Sequence, residues 1–235
     1  MIFSGFMRRG AAVAAFIVIA WVIAFAFLVR SDYVDDAFIG FTYARNLLAG
    51  DGLTFHPHWA PVEGITNLGW ILVLSALGVV FPIPAAAKIL GVALVLLTAG
   101  LLWQAGRRIF PDSVAVRSAP VFLLASSAEF LYFSLSGMET AFLSVILLGM
   151  AFAAARNPRS AWIAALGALA FLVRPESALV FAFYALGLLL LGKRDLKGAW
   201  RQPAAFAALV GLAALGRWLY FGSLLPNTFI AKPSD

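Results

Sequence analysis

A succession of apolar runs, separated by charged or Pro/Gly-containing turns and by one long polar segment over 30–66, extends from residue 11 to residue 221. The runs lie at 11–29, 67–81, 84–105, 119–136, 139–155, 160–173, 177–191 and 203–221. A helix crosses the hydrocarbon core of a bilayer with about 20 apolar residues, in a range of roughly 17–25. A chain that repeats such runs cannot hide them inside a water-soluble core. Composition agrees: 63% of the 235 residues are hydrophobic and only 12% charged, against roughly 25% charged in an ordinary soluble domain. Soluble globule, disordered chain, collagen and disulfide scaffold are all excluded, and the absence of Cys removes thiol chemistry. The net charge of +6 does not point to nucleic acid, because the basic residues cluster between apolar runs. That is how a polytopic membrane protein encodes its orientation.

The basic clusters count the spans. They are Arg8/Arg9; Arg107, Arg108 and Arg117; Arg156 and Arg159; and Lys193, Arg194, Lys197 and Arg201. Segment 30–66 has the opposite bias, with Asp32, Asp35, Asp36, Asp51 and Glu63 against Arg30 and Arg45. If all eight runs crossed, every basic loop after the first would lie outside. If 67–81 stays on the surface, every basic cluster lies inside, as the positive-inside rule requires. That run is short and closed by Pro82 and Pro84. The expectation is therefore an all-α polytopic protein with about seven transmembrane helices and a cytoplasmic N-terminus. Two juxtamembrane helices, 36–49 and 67–81, occupy a first outer loop over 30–83. In the first of them Phe38, Phe41, Ala44, Leu47 and Leu48 recur at helical spacing, while Arg45 and Asn46 face elsewhere. Run 11–29 resembles a secretory signal, with Ala24-Phe25-Ala26 as a mimic of a cleavage site. It continues past that site and reads as an uncleaved anchor. Runs 160–173 and 177–191 are short and joined by Arg174-Pro175-Glu176; the alternative to two spans is a hairpin that does not fully cross. No internal repeat or linker marks a second domain, so 1–235 reads as a single module.

This topology gathers the unusual polar residues on the outer face: Asp35, Asp36, Glu129, Glu139, Arg174, Glu176, Arg217, Asn227 and Lys232. Ionisable groups at membrane depth are costly and mark cavities or partners. Asp35-Asp36 opens a helix, where acids also serve as cap and dipole partner. Glu139 opens the fourth span after the chain break at Gly137, again a capping position. In Arg174-Pro175-Glu176, proline holds Arg174 out of helical geometry; the arginine either pairs with Glu176 or presents a fork to a phosphate. His56 and His58 have no third ligand at metal-binding spacing, so a polar loop role is preferred. No Walker loop, dinucleotide fingerprint or zinc signature is present.

Several short motifs follow one another in an order that resembles a known family. They are Asp35-Asp36-Ala37-Phe38-Ile39; Tyr43-Ala44-Arg45-Asn46-Leu47; Gly50-Asp51-Gly52-Leu53-Thr54-Phe55; and Val62-Glu63-Gly64 with Thr66-Asn67 and Trp70. Ser136-Gly137-Met138-Glu139-Thr140-Ala141, Arg174-Pro175-Glu176, and Gly222-Ser223-Leu224-Leu225-Pro226-Asn227-Thr228-Phe229 with Ala231-Lys232 continue the series. Together they look like the first periplasmic loop and later motifs of bacterial GT-C glycosyltransferases, most like the terminal arabinofuranosyltransferase-like branch of mycobacterial cell-wall assembly. The chain departs from that pattern at His56-Pro57-His58, where the family has Asn-Pro-Gly, and at Ile65, where it has an aromatic. Family members are longer, with further spans and often a soluble C-terminal domain. The resemblance thus implies that this chain is the N-terminal module and lacks a C-terminal part.

The resemblance implies a bacterial inner-membrane glycosyltransferase active on the periplasmic face. The donor would be a polyprenyl-phosphate-linked sugar, arabinofuranose in the nearest branch. The acceptor would be an extracytoplasmic glycan, lipid or protein. Such a donor arrives laterally through the bilayer, so no nucleotide cofactor is expected. Asp35, with Asp36 as the alternative, would take the proton from the acceptor hydroxyl as it attacks the anomeric carbon. Arg174 and Lys232, and more weakly Arg45, would hold the departing phosphate. Glu63, Glu139 and Asn227 would position sugar hydroxyls or a divalent cation such as Mg or Mn. Asn67 and Glu176 belong to the same substrate-binding set, with Glu176 orienting Arg174. Two other classes compete: a transporter, against which the absence of repeats and of mid-depth polar groups argues, and a non-catalytic subunit that binds the lipid-linked sugar.

Overall fold

The computed structural model describes residues 2–191 and 200–223. Among them every regular element is helical: α1 (Ile2–Leu28), α2 (Asp35–Ala49), α3 (Leu68–Leu77), α4 (Ile83–Ile109), α5 (Val114–Ser126), α6 (Ala128–Leu135), α7 (Thr140–Arg156), α8 (Ala161–Val173), a 3-10 turn (Pro175–Ser177), α9 (Ala178–Leu191) and α10 (Arg201–Phe221). Each of the eight apolar runs coincides with a helix or a pair of helices. Among the described residues, α4 and α10 are long and apolar enough to cross a membrane. The pair α5–α6 adds a third if taken as one bent span. The spans expected at 139–155, 160–173 and 177–191 correspond to α7, α8 and α9, of 17, 13 and 14 residues. Among the described residues none of the three, nor the Val13–Leu28 stretch of α1, is long and apolar enough to count as a crossing helix.

The chain packs as two compact units, Met1–Ala37 with Pro84–Val145 and Phe38–Ile83 with Ile146–Asp235. In the first, α1 packs on α5 and α6. The run expected as one helix over 119–136 bends by 60°. Ser127 causes the break. It is extended, ends α5 by donating its N–H to the Leu123 and Leu124 carbonyls, and starts α6 by accepting the Phe130 N–H on its Oγ. A helix end leaves carbonyls without partners, and Trp21 Nε1 of α1 donates to one of them, Ala125 O, at 2.8 Å. Glycines let α4 approach closely: a Cβ at Gly91 would collide with the Ser134 carbonyl, and one at Gly106 with the Arg117 carbonyl. Small residues at helix contacts are the usual means of packing where hydrocarbon replaces water.

In the second unit α8 is central, with Ile163, Ala164, Gly167, Ala170 and Val173 buried, and α3, α9 and α10 pack against it. A Cβ on Gly167 would strike the Phe181 ring of α9. Phe181 in turn stacks on Phe206 of α10, with ring centroids 4.0 Å apart. The surface helix expected over 67–81 is shorter, ending at Leu77 with Gly78 as its C-cap. It buries Gly69, Trp70, Ile71, Leu74 and Ser75. In contrast, α10 buries only Gln202 and Arg217. Polar contacts pin it at both ends: Gln202 Nε2 donates to Arg159 O at 2.6 Å, and Arg217 binds Glu63.

Candidate functional site

In the first unit the helix α2 begins at Asp35, so both Asp35 and Asp36 stand in its first turn, and both are exposed. The free N–H groups and dipole of that turn favour negative charge there. Just before it, the Val34 N–H donates to Ser136 O at 3.2 Å. This ties the aspartates to the Ser136-Gly137-Met138-Glu139 motif, about a hundred residues later. That motif turns on Gly137, whose φ of +96° is the left-handed region a glycine enters freely. The Met138 N–H closes the turn by donating to Phe133 O. Glu139 follows at the start of α7, its carbonyl accepting the Leu143 N–H, with its side chain 1% exposed.

Lys88, in the early turns of α4, fastens this arrangement. Its ammonium donates to Val29 O at 2.7 Å, Asp32 O at 2.8 Å and Leu135 O at 3.0 Å. Three donors thus meet three carbonyls from two chain segments. It also sits 4.3 Å from the centre of the Tyr33 ring. The end of α1, the Asp32–Val34 connection and the end of α6 therefore converge on one cation. Glu129, also expected on this face, is exposed at the start of α6.

In the second unit the loop between α2 and α3 is held from two sides. On the α2 side, the Tyr43 hydroxyl donates to Val62 O at 2.5 Å and accepts the Gly64 N–H at 3.0 Å. Asn46, three residues on, donates from Nδ2 to Thr54 O and Phe55 O. Asn46, off the apolar stripe of α2, is therefore buried against the loop, whereas Arg45 is exposed. On the α10 side, Tyr220 Oη accepts the Leu53 N–H at 2.8 Å. One turn earlier, Arg217 Nε donates to Glu63 Oε2 at 3.0 Å and Nη2 lies 2.8 Å from Oε1. Glu63 is 3% and Arg217 9% exposed. Burial pushes the Glu63 carboxyl above the usual carboxylate range, and the Arg217 charge and hydrogen bond offset part of that rise. Burial also raises the Tyr43 hydroxyl, against the Gly64 hydrogen bond and with the Glu63 charge.

The first turn of α3 meets the end of α8: a Cβ on Gly69 would touch Val173 and press on the Leu172 backbone. Thr66-Asn67 and Arg174-Pro175-Glu176 are thereby neighbouring segments. Arg174 has extended backbone, as a residue before proline should. Its guanidinium lies 4.0 Å from Glu176 Oε1, with side-chain exposures of 38% and 68%, a loose pair in water's reach. A cavity of about 450 Å³ lies between α2 and the loop, with Tyr43, Phe55, His56, Trp59 and Val62 on its walls. His56 stacks on Trp59 there, with ring centroids 4.9 Å apart. Among the described residues no group of three His, Asp or Glu is placed to hold a metal. Asn227 and Lys232 lie outside the described residues.

The structure thus joins Asp35, Asp36 and the Glu139 segment in one unit, and joins Glu63 with Arg217 and the Asn67 segment with Arg174-Glu176 in the other. Sequence reading missed Lys88, Tyr43 and Tyr220. For Lys88 a signal existed, a lone cation at the start of a long apolar helix. Tyr43 opens one of the quoted motifs, though nothing there gives its hydroxyl a role; for Tyr220 no signal existed. Comparison with family models, with curated proteins and with solved structures finds no match for this chain. What fold and composition define is an all-helical protein with membrane-type helices.

Proposed function

We propose that the chain is the membrane module of a glycosyltransferase that moves a sugar from a polyprenyl-phosphate donor to an extracytoplasmic acceptor. The observation that carries this reading is the anchoring of the exposed Asp35-Asp36 pair. A backbone hydrogen bond to Ser136 and the three-carbonyl grip of Lys88 hold it beside the Glu139 turn. A general base needs a carboxylate that is accessible yet rigidly placed. The motif resemblance supplies the reaction class. With seven crossings, the short α8 and α9 among them, the acidic segment faces the periplasm and the basic turns face the cytoplasm of a bacterial inner membrane.

In the proposed step Asp35 accepts the proton of an acceptor hydroxyl. The oxygen bonds the anomeric carbon as the bond from that carbon to the phosphate oxygen breaks. The polyprenyl phosphate leaves with the bonding pair, and the anomeric centre inverts. Arg174 and Lys232 are the cations proposed for the departing phosphate. General-base assistance is typically worth 10²–10⁴-fold. Asp35→Asn should lower transfer from a polyprenyl-phosphate sugar at least about a hundredfold, with donor binding and membrane insertion unchanged; Asp36→Asn repeats the test for the neighbour. Near-normal turnover in both variants would end the assignment of the base. Donor binding with no turnover in the unmodified chain would instead mark a non-catalytic subunit.

A further inference from the structure

The basic turn between α4 and α5 sits at the end of an apolar cleft, and the two features suit one ligand. The cleft holds about 400 Å³ between α1, α4 and α5. Small residues leave the space: Ala14 and Ala15 on α1, Ala99 and Gly100 on α4. Trp103 and Ser118 line its end. Arg117 stands directly beside Ser118 in sequence, with its guanidinium carbon 5.2 Å from the centre of the Trp103 ring. That guanidinium is incompletely used. Nη1 reaches Pro111 O at 3.3 Å, while Nε is buried with no hydrogen-bond acceptor. An arginine nitrogen withdrawn from water without an acceptor is costly. Arg107 and Arg108 are exposed in the same turn, and Asp112 is its only acid. The turn is therefore net positive.

We infer that this cleft takes one anionic phospholipid, with an acyl chain between α1, α4 and α5 and the phosphate on Arg117. Arg117 and the exposed Arg107 and Arg108 of the same turn supply the positive charge that a phosphate needs, and arginine suits phosphate through paired donors. The cleft itself asks only for hydrocarbon; the arginines ask for an anion. A neighbouring apolar helix would satisfy the first demand and not the second. A soluble anion would satisfy the second and leave the cleft empty. On the topology proposed above the lipid comes from the inner leaflet, but its binding does not depend on that topology or on any transferase activity.

Brominated lipids test the assignment, because bromine in an acyl chain quenches a tryptophan it touches. The full-length chain is reconstituted in phosphatidylcholine vesicles holding a minor fraction of dibrominated phosphatidylglycerol or, separately, dibrominated phosphatidylcholine. The difference between the unmodified protein and Trp103→Phe isolates the Trp103 signal. That signal should be quenched by phosphatidylglycerol at a concentration about five-fold lower than by phosphatidylcholine, the weight of one arginine near an anionic surface. Arg117→Gln should abolish the preference while leaving a weaker quench common to both lipids. Gly100 lines the cleft and has open space where its Cβ would stand, so Gly100→Leu puts a side chain into it; it should reduce quenching by both lipids with Arg117 untouched. Equal quenching by the two lipids in the unmodified protein overturns the inference, as does a preference that survives both substitutions. If neither lipid quenches Trp103 the inference is overturned too, and a helix occupies the cleft.

Discussion

Arg217 and Glu63 face each other through two contacts of 2.8 and 3.0 Å, and both side chains are buried. The pair joins α10 to the loop that follows α2. It matters more than its size suggests, because α10 buries little else. Water is excluded from a carboxylate and a guanidinium together, so each is tolerable only while the other is present.

Removing one partner should therefore be worse than removing both. Arg217→Met strands a buried carboxylate and should cost about 3–5 kcal/mol. The double variant Glu63→Leu/Arg217→Met removes both charges and should recover most of that loss, since apolar replacements of a buried pair are often close to neutral. Thermal unfolding of the purified protein in detergent measures all three. A double variant no more stable than Arg217→Met would mean that the carboxylate is not the source of the cost.

The same carboxyl sets a pH dependence. Its folded-state pKa is raised, so the native chain holds that proton to higher pH than the unfolded chain does. Its contribution to stability is then full below the ordinary carboxylate value of about 4.3 and is lost as pH rises through the raised value. In Arg217→Met only the burial that raises it remains, so the window widens upward. The variant's deficit against the unmodified protein should shrink as the solution is acidified toward about pH 4.3. A deficit independent of pH would show that Glu63 is solvated in the variant.

Gly50 and Gly52 open the same loop with φ of +89° and +84°, yet their neighbours differ. Nothing lies near a Cβ at Gly50, whereas one at Gly52 would run into Tyr220 Oη. Gly50→Ala should cost about 1–2 kcal/mol of left-handed strain alone. Gly52→Ala should cost more, because it also evicts the hydroxyl that accepts the Leu53 N–H. Tyr220→Phe should lose only that hydrogen bond, about 1 kcal/mol. Limited proteolysis within residues 50–66 would rank them, with Gly52→Ala cut fastest.

How much of this was legible in the residues differs from place to place. The helix expected at 36–49 runs over 35–49 because its apolar spacing and opening acids are local signals. The bend at Ser127 escaped notice because no proline or glycine stands there; Pro120, the visible breaker, lies inside α5 without ending it. Asn46 counts as off the apolar stripe of α2 because an amide looks polar to any periodicity count. It is buried because two loop carbonyls need its Nδ2, and those partners are set by tertiary folding. Glu63 and Arg217 were each singled out, but nothing in the sequence pairs groups so far apart. The order of the motifs suggests a reaction; Lys88, which no motif includes, stands out as a lone cation, but its three carbonyl partners are set by tertiary folding.

Lys88 separates anchoring from chemistry. Lys88→Met keeps the aliphatic stem and removes the three donors, leaving the Val29, Asp32 and Leu135 carbonyls without their shared cation. The expected loss of stability is about 2–3 kcal/mol. Lys88→Arg keeps the charge, but a planar fork cannot meet three carbonyls arranged around one point, so it should restore only part of it. If the aspartates act as proposed, both variants also lower sugar transfer with Asp35 and Asp36 intact, and the fall is in kcat, because the base is displaced while donor contacts remain. Unfolding curves and transfer kinetics on the same preparations read the two effects separately. A Lys88→Met protein that unfolds early yet transfers sugar at the full rate would keep the anchor and remove its connection to the base.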